Sequence, residues 1–260
     1  TLATLTATGN RKVQAGFEPL VQGFIRVPYN DLDAIRTVAA NSNNVVAVLV
    51  EPIQGEGGIN IPDDDYLQGI RDLCDVNHWL MMLDEIQSGM GRTGKWFAWQ
   101  HSAVLPDVAT LAKALGNGVP IGACLARGRA AEMMQPGTHG STFGGNPLAC
   151  RAAIAVLESL QQEQLVDHAA ALGAHLLAGF TATLSGLEGV AAIRGRGLMI
   201  GIELDRPCAE LVARAIEQGL LINVTAERVI RLLPPLITTV KQADIIIEQV
   251  SDLIREFLAG

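Results

Sequence analysis

The 260-residue chain is short of several residue types, and each shortage excludes something. Its four cysteines, Cys74, Cys124, Cys150 and Cys208, are scattered with no C-x-x-C pair. That excludes a disulfide scaffold and a thiolate metal site, and points to a reducing, cytoplasmic compartment. The five histidines are scattered too, with no H-E-x-x-H, so no metal is expected. Basic charge is short: 19 Lys and Arg stand against 27 Asp and Glu, a net charge of −8. A nucleic-acid partner, whose phosphates need a basic face, is excluded. Apolar runs are short of a bilayer span, so no membrane role is expected. Hydrophobic residues at 49% and charged residues at 18% describe a globular chain, not a disordered one. An initiator methionine is also missing, and TLATLTATGN reads like the inside of a domain. The expectation is a fragment of a longer protein.

What is present is an alternation of strand and helix signals. Asp31 is placed to cap a helix running to about residue 40. Residues 45–50 are a continuous β-branched run, expected as a buried parallel strand. The Gly-rich loop EPIQGEGG follows and carries Glu51 and Glu56. Residues 62–65, Pro and three Asp, open a helix to about residue 77, and a strand follows at 79–83. Strand, helix, strand implies a βαβ unit with a right-handed crossover. Further strands are expected at Val108–Leu111 and 121–126. A polar, Gly-rich loop fills 134–147, and Asn146-Pro147 starts a long helix. Beyond residue 162 the pattern is helix 165–184, strands 190–194 and 198–204, helix 209–218, strands 220–224 and 229–232, and an amphipathic helix 241–258. The fold class is α/β, with a mostly parallel central sheet and helices on both faces in residues 1–160. A smaller α+β domain occupies 161–260.

Lysine is scarce as well, and that makes one stand out. Of Lys12, Lys95, Lys113 and Lys241, only Lys113 follows a buried-type strand and precedes a Gly-rich turn. A lysine there would be partly desolvated, which favours the neutral amine that a covalent nucleophile needs. The plainer reading is a surface lysine at a loop entrance. Asp84 ends the apolar run 79–83 and needs a cationic or hydrogen-bonding partner. A protonated pyridine nitrogen is one such partner; a helix cap or one of the arginines is another. In open α/β sheets, ligands collect outside the carboxyl ends of strands, so Asp84 and Lys113 are expected to hold two ends of one cofactor, pyridoxal phosphate.

EPIQGEGG, DEIQSGMGRTG, LAKALGNGVPIGA, HGSTFGGNPLA and RLLPPL, in this order, resemble the class III (ornithine-type) pyridoxal-phosphate aminotransferases. The resemblance covers essentially the whole chain and implies a fold-type I transferase. It is nearest to members acting on N-acetylornithine in arginine biosynthesis, with 2-oxoglutarate as acceptor and glutamate as product. Members acting on ornithine, succinylornithine or 4-aminobutyrate share these motifs. The resemblance makes Lys113 the residue that bonds the cofactor and moves the proton, and Asp84 the partner of the ring nitrogen. Gln87 is placed at the ring hydroxyl, beside Glu85 and Ile86. Ser141 becomes a substrate contact. Thr142 becomes a phosphate contact made across a homodimer interface. Glu56 becomes a switch that pairs with Arg231 in one half-reaction and releases it in the other. From the residues alone, Glu56 reads as a loop hydrogen-bonding group and Arg231 as a surface charge in an edge strand. The family's phosphate-cradling turn, ring-stacking aromatic and substrate-carboxylate arginine all precede the position of Thr1. Either the chain is part of a longer protein or it is a non-catalytic remnant.

One competing motif is G-M-G-R-T-G at 89–94, which satisfies G-x-G-x-x-G. A dinucleotide site needs the first glycine at a strand end, a helix at the third and an acid ending the next strand. Five residues separate Leu83 from Gly89, no helix cap follows, and Asp107 starts a strand instead of ending one. A dinucleotide site is therefore not expected.

Overall fold

The computed structural model describes residues 2–260. The chain divides into two compact units, Thr1–Val45 and Val46–Gly260.

The first unit holds three helices: α1 (Leu2–Ala7), α2 (Arg11–Gln14) and α3 (Leu32–Asn41). The first two were not expected. They are short, and the Gln14 side-chain amide ties them by donating to the carbonyls of Leu5 (3.2 Å) and Thr8 (2.8 Å). The cap on α3 is as expected, with Asp31 Oδ1 accepting from the Ala34 N–H at 2.8 Å.

The second unit contains two sheets. The first comprises β1 (Ala47–Val50), β2 (Leu80–Asp84), β3 (Val108–Leu111) and β4 (Ala123–Ala126), in that order. β1–β2 and β2–β3 are parallel, and β4 runs antiparallel to β3. The sheet is thus mixed and mostly parallel. Helix α4 (Tyr66–Asn77) connects β1 to β2 and packs on both. It buries Tyr66, Leu67, Ile70 and Cys74, one stripe of a 3.6-residue repeat. β1 is parallel but not buried as expected: Val46 is 74% exposed and Leu49 47%. It is the end strand of this sheet, so one edge and part of one face have no strand of the second unit against them.

The chain continues through α5 (Gly128–Glu132), α6 (Pro147–Gln162) and α7 (Leu165–Leu184). The second sheet follows: β5 (Val190–Arg196), β6 (Met199–Leu204), β7 (Asn223–Thr225) and β8 (Val229–Leu232). Helix α8 (Leu211–Glu217) precedes β7, and α9 (Val240–Ala259) follows β8. Strand order is β5-β6-β8-β7, all antiparallel. By length and apolarity α7 would suffice to cross a bilayer, although no such run was expected. Its Leu172, Leu176, Phe180 and Leu184 instead fill the core shared with β6, β8 and α9.

The two sheets are joined by the turn that mimicked a dinucleotide motif. The half-buried Arg92 donates to the carbonyls of Pro234 (2.6 Å) and Leu198 (3.1 Å), and its own carbonyl accepts from the Leu198 N–H. Burial pushes its guanidinium down to about 10. A Cβ on Gly94 would lie 2.7 Å from that of Ala170, and one on Gly197 would lie 2.4 Å from the Thr93 backbone. Gly91 and Gly94 of this motif, with Gly197 opposite, serve close packing between the halves.

Candidate active site

The carboxyl ends of β1, β2 and β3 lie side by side, and a functional side chain leaves each. The register pairs Val50 with Leu83 and Asp84 with Thr110. Glu51 therefore leaves β1 beside Asp84. Lys113 comes two residues beyond the end of β3. The sheet brings together residues that are distant in sequence, as parallel strands do.

Asp84 is half-buried. Its Oδ1 accepts from the Ile86 N–H at 3.0 Å. The other oxygen has no hydrogen-bond partner among the described residues. Glu85 is 1% exposed, and its carboxylate is committed to the loop. It accepts from Ser88 Oγ at 2.8 Å and from the N–H groups of Ala98 and Trp99 at 3.0 Å. Burial pushes the Glu85 carboxyl up, and these three donors oppose the shift. Its part is to shape residues 85–99 and so fix Asp84, Ile86 and Gln87.

Lys113 begins a 3-10 turn, Lys113–Leu115, with φ +44°. A non-glycine residue in the left-handed region costs about 1–2 kcal/mol, and such positions cluster at functional sites. The side chain is exposed, not desolvated by its own chain as expected. The turn sends Leu115 into the core and Lys113 outward. Glu51 was read only as part of a Gly-rich loop, with no role. Its Oε2 accepts from the Gly55 N–H at 2.9 Å. Burial pushes its carboxyl up, the Gly55 N–H opposes that, Asp84 pushes it further up and Lys113 pulls it down. Glu56 adds a smaller push upward. Four charged groups thus share one field. The signal that could have found Glu51 is its position, the first residue past an apolar run, like Asp84.

The loop after β1 carries Glu56 to the second sheet. Arg231 Nη1 donates to Glu56 Oε1 at 2.6 Å and to Gln87 Oε1 at 3.2 Å. Nη2 donates to Asn223 Oδ1 at 2.9 Å. Arg231 lies on β8, an inner strand between β6 and β7, not on an edge. Its side chain is 11% exposed, against 67% for Glu56. Thr225 Oγ1 donates to the Glu56 carbonyl, and Arg194 donates to the carbonyls of Ile59 (2.8 Å) and Gly58 (2.6 Å). These bonds lash the loop to the second sheet. Asn223 is the other residue that sequence reasoning missed. It lies in a three-residue strand, and only the cross-strand register identifies it.

Ser141 and Thr142 are not brought to this cluster by their own chain. Both are exposed, in the irregular segment between α5 and α6, next to Phe143 at 80% exposure.

Known proteins identify the family. The profile of the family described as "Aminotransferase class-III" matches residues 1–254. The chain is 58% identical over 258 residues to the acetylornithine aminotransferase of Nitrosomonas europaea, covering 99% of this chain and 66% of that protein. It is 47% identical over 256 residues to the acetylornithine aminotransferase of Methanothermobacter thermautotrophicus, covering 98% and 65%. The chain thus spans about two thirds of the length of the curated relatives it matches. Among solved structures, the ornithine aminotransferase from Toxoplasma gondii superposes with a TM-score of 0.94 at 37% identity, covering 100% of this chain and 62% of that one. The acetylornithine aminotransferase from Elizabethkingia anophelis gives 0.84 at 39% identity, covering 90% and 60%. A fold-type I α/β architecture, five ordered motifs and a profile match over nearly its whole length lead to one assignment: the chain belongs to the class-III aminotransferases.

Proposed function

We propose that the protein is a pyridoxal-phosphate-dependent aminotransferase that moves the terminal amino group of N-acetylornithine to 2-oxoglutarate, giving glutamate and the semialdehyde. The observation that carries this reading is the set of groups at three adjacent strand ends, Glu51, Asp84 and the exposed amine of Lys113, with the Arg231–Glu56 pair beside it. The donor set fits the cofactor. Asp84 offers an acceptor oxygen without a hydrogen-bond partner among the described residues, which suits a protonated pyridine nitrogen. Lys113 offers a primary amine, and Gln87 an amide suited to the ring hydroxyl. Glu85 and Ile86 hold the backbone from which Asp84 and Gln87 project.

The bound cofactor supplies an electron sink for the carbon that loses its proton. The chain's own residues supply the rest. Lys113 Nζ would hold the cofactor covalently at rest and, once displaced by the substrate amine, would serve as the base for the proton on the amine-bearing carbon. Asp84 holds the ring nitrogen in its cationic form by charge pairing. Glu56 masks Arg231 while the donor presents its terminal amine, and releases it when the acceptor's carboxylate arrives.

The same reading makes the protein a cytoplasmic homodimer. Ser141 then contacts substrate, and Thr142 reaches the phosphate site of the second copy. The exposed apolar side chains of Met133, Phe143 and Leu148 near these residues support such a contact. The reading also keeps a cofactor domain of residues 1–160 and a small domain of 161–260. Residue 160 falls between the two sheets, which supports that division.

The test is a screen of the protein, in its full natural length, with 2-oxoglutarate and four donors: N-acetylornithine, ornithine, succinylornithine and 4-aminobutyrate. The highest kcat/KM is expected with N-acetylornithine. Faster turnover of another donor would replace the substrate, and no turnover of any would remove the reading.

A further inference from the structure

Arg231 is held on three sides, and the three holders differ in kind. Glu56 is charged, 67% exposed, and sits in a loop. Gln87 and Asn223 are neutral amides. Glu56 and Gln87 share one guanidinium nitrogen, Nη1, while Asn223 alone takes Nη2. Asn223 is the direct cross-strand neighbour of Arg231 in the β7–β8 pairing, so their side chains share a face of the sheet.

We propose that Asn223 is a positioning residue for the switch: it holds Arg231 in place when Glu56 leaves, so that a substrate carboxylate replaces Glu56 at a guanidinium that has not moved. The inference rests on the aminotransferase reading given above. Its physical basis is an asymmetry. Arg231 is 11% exposed on an inner strand and keeps one acceptor on each terminal nitrogen after Glu56 departs. Without Asn223, Nη2 keeps no acceptor among the described residues, and the long side chain is free to follow Glu56 or pivot about Gln87. The neutrality of Asn223 matters equally. An amide oxygen orients the guanidinium without cancelling its charge, whereas a carboxylate at residue 223 would pair with it permanently and compete with the substrate.

The experiment uses the cofactor-loaded protein in its full natural length and two variants, Asn223→Ala and Asn223→Asp. Each is checked by thermal unfolding. Glutarate, a five-carbon dicarboxylate that cannot react, is titrated by calorimetry. The two half-reactions are then followed separately by single-turnover absorbance. Loss of one hydrogen bond to a charged group predicts about tenfold weaker glutarate binding and about tenfold higher KM for the oxo acid in Asn223→Ala. Its kcat should change far less, and the amine-donor half-reaction should change by under about threefold. Asn223→Asp should weaken glutarate at least as much while keeping wild-type thermal stability. It therefore carries the test if the alanine variant does not fold.

Glutarate affinity within about twofold of wild type in the folded variants would overturn the inference, as would equal losses in both half-reactions. A wild-type protein with no transamination would instead overturn the underlying reading, so the two failures are distinguishable.

Discussion

The side-chain amide of Gln87 occupies the space that a Cβ on Gly55 would need: the built Cβ lies 2.4 Å from Gln87 Cδ. Residue 55 is also pinned from the other side, because its N–H donates to Glu51 Oε2 at 2.9 Å. Any side chain at residue 55 therefore requires the Gln87 amide to move.

A Gly55→Ala variant should push Gln87 off its place between Asp84 and Arg231. Because the clash is with the end of a flexible side chain, the cost in stability should be small, under about 1 kcal/mol. The expected result is a loss of that size in chemical denaturation, together with weaker cofactor retention in equilibrium dialysis. Unchanged retention would mean that Gln87 relocates freely and that its position carries no function.

Lys113 should be the site of the covalent cofactor link. Borohydride treatment of the loaded protein followed by peptide mapping is expected to place the label on Lys113. Label on Lys95 or Lys241 would sink the assignment. Lys113→Ala should lose transamination by several orders of magnitude while keeping its thermal stability, because the side chain is exposed.

Glu56→Ala should affect the two half-reactions unequally. With Arg231 permanently unmasked, the oxo-acid half should stay within about threefold, while kcat/KM for the amine donor falls by about tenfold or more, the loss of a charge-assisted pair. Equal losses with both substrates would argue against a switch.

Arg92 should matter for stability and not for chemistry. Truncation to alanine removes the partners of the Pro234 and Leu198 carbonyls in a half-buried joint, which costs about 1–3 kcal/mol. Denaturant unfolding measures it. A variant that unfolds like wild type but loses activity would contradict this division of labour.

Acid should unfold the protein partly through Asp107. Burial alone would raise its carboxyl, but the Met81 N–H and Arg71, with help from Arg127, hold it below 3.8. A depressed carboxyl contributes stability that is complete above the unfolded value and is lost as pH falls through the folded one. Glu85 runs the other way: raised above 4.5, it favours the folded state as pH falls from neutral towards 4.5. Asp107→Asn should therefore flatten the stability curve below about pH 4. Identical slopes for wild type and variant in that range, measured by urea unfolding, would exclude this account.

The sequence made most elements legible, for local reasons. Helix α7 was read at its observed bounds because it is long and rich in Ala and Leu, the strongest helix formers. The cap at Asp31 and the Asn146-Pro147 start of α6 were read from residue chemistry alone. The short helices α1 and α2, and the 3-10 turn that carries Lys113, were not, because three to six residues hold too little periodic signal. The continuous apolar run that predicted a buried β1 says how well a strand can be buried, not whether neighbours arrive to bury it.

The sequence by itself determined the chemistry available here: a lone lysine after a strand, an acid ending another, and five motifs in family order. Tertiary structure decided which of these groups meet. A parallel sheet sets Glu51 beside Asp84 although the residues are far apart in the chain, and an antiparallel ladder sets Asn223 opposite Arg231. It also showed that G-M-G-R-T-G is a packing joint and that Lys113 faces outward at a strained φ. Composition and spacing describe one chain position at a time. Registers and close contacts depend on where two distant segments come to rest, and that is set by the packing of the whole core.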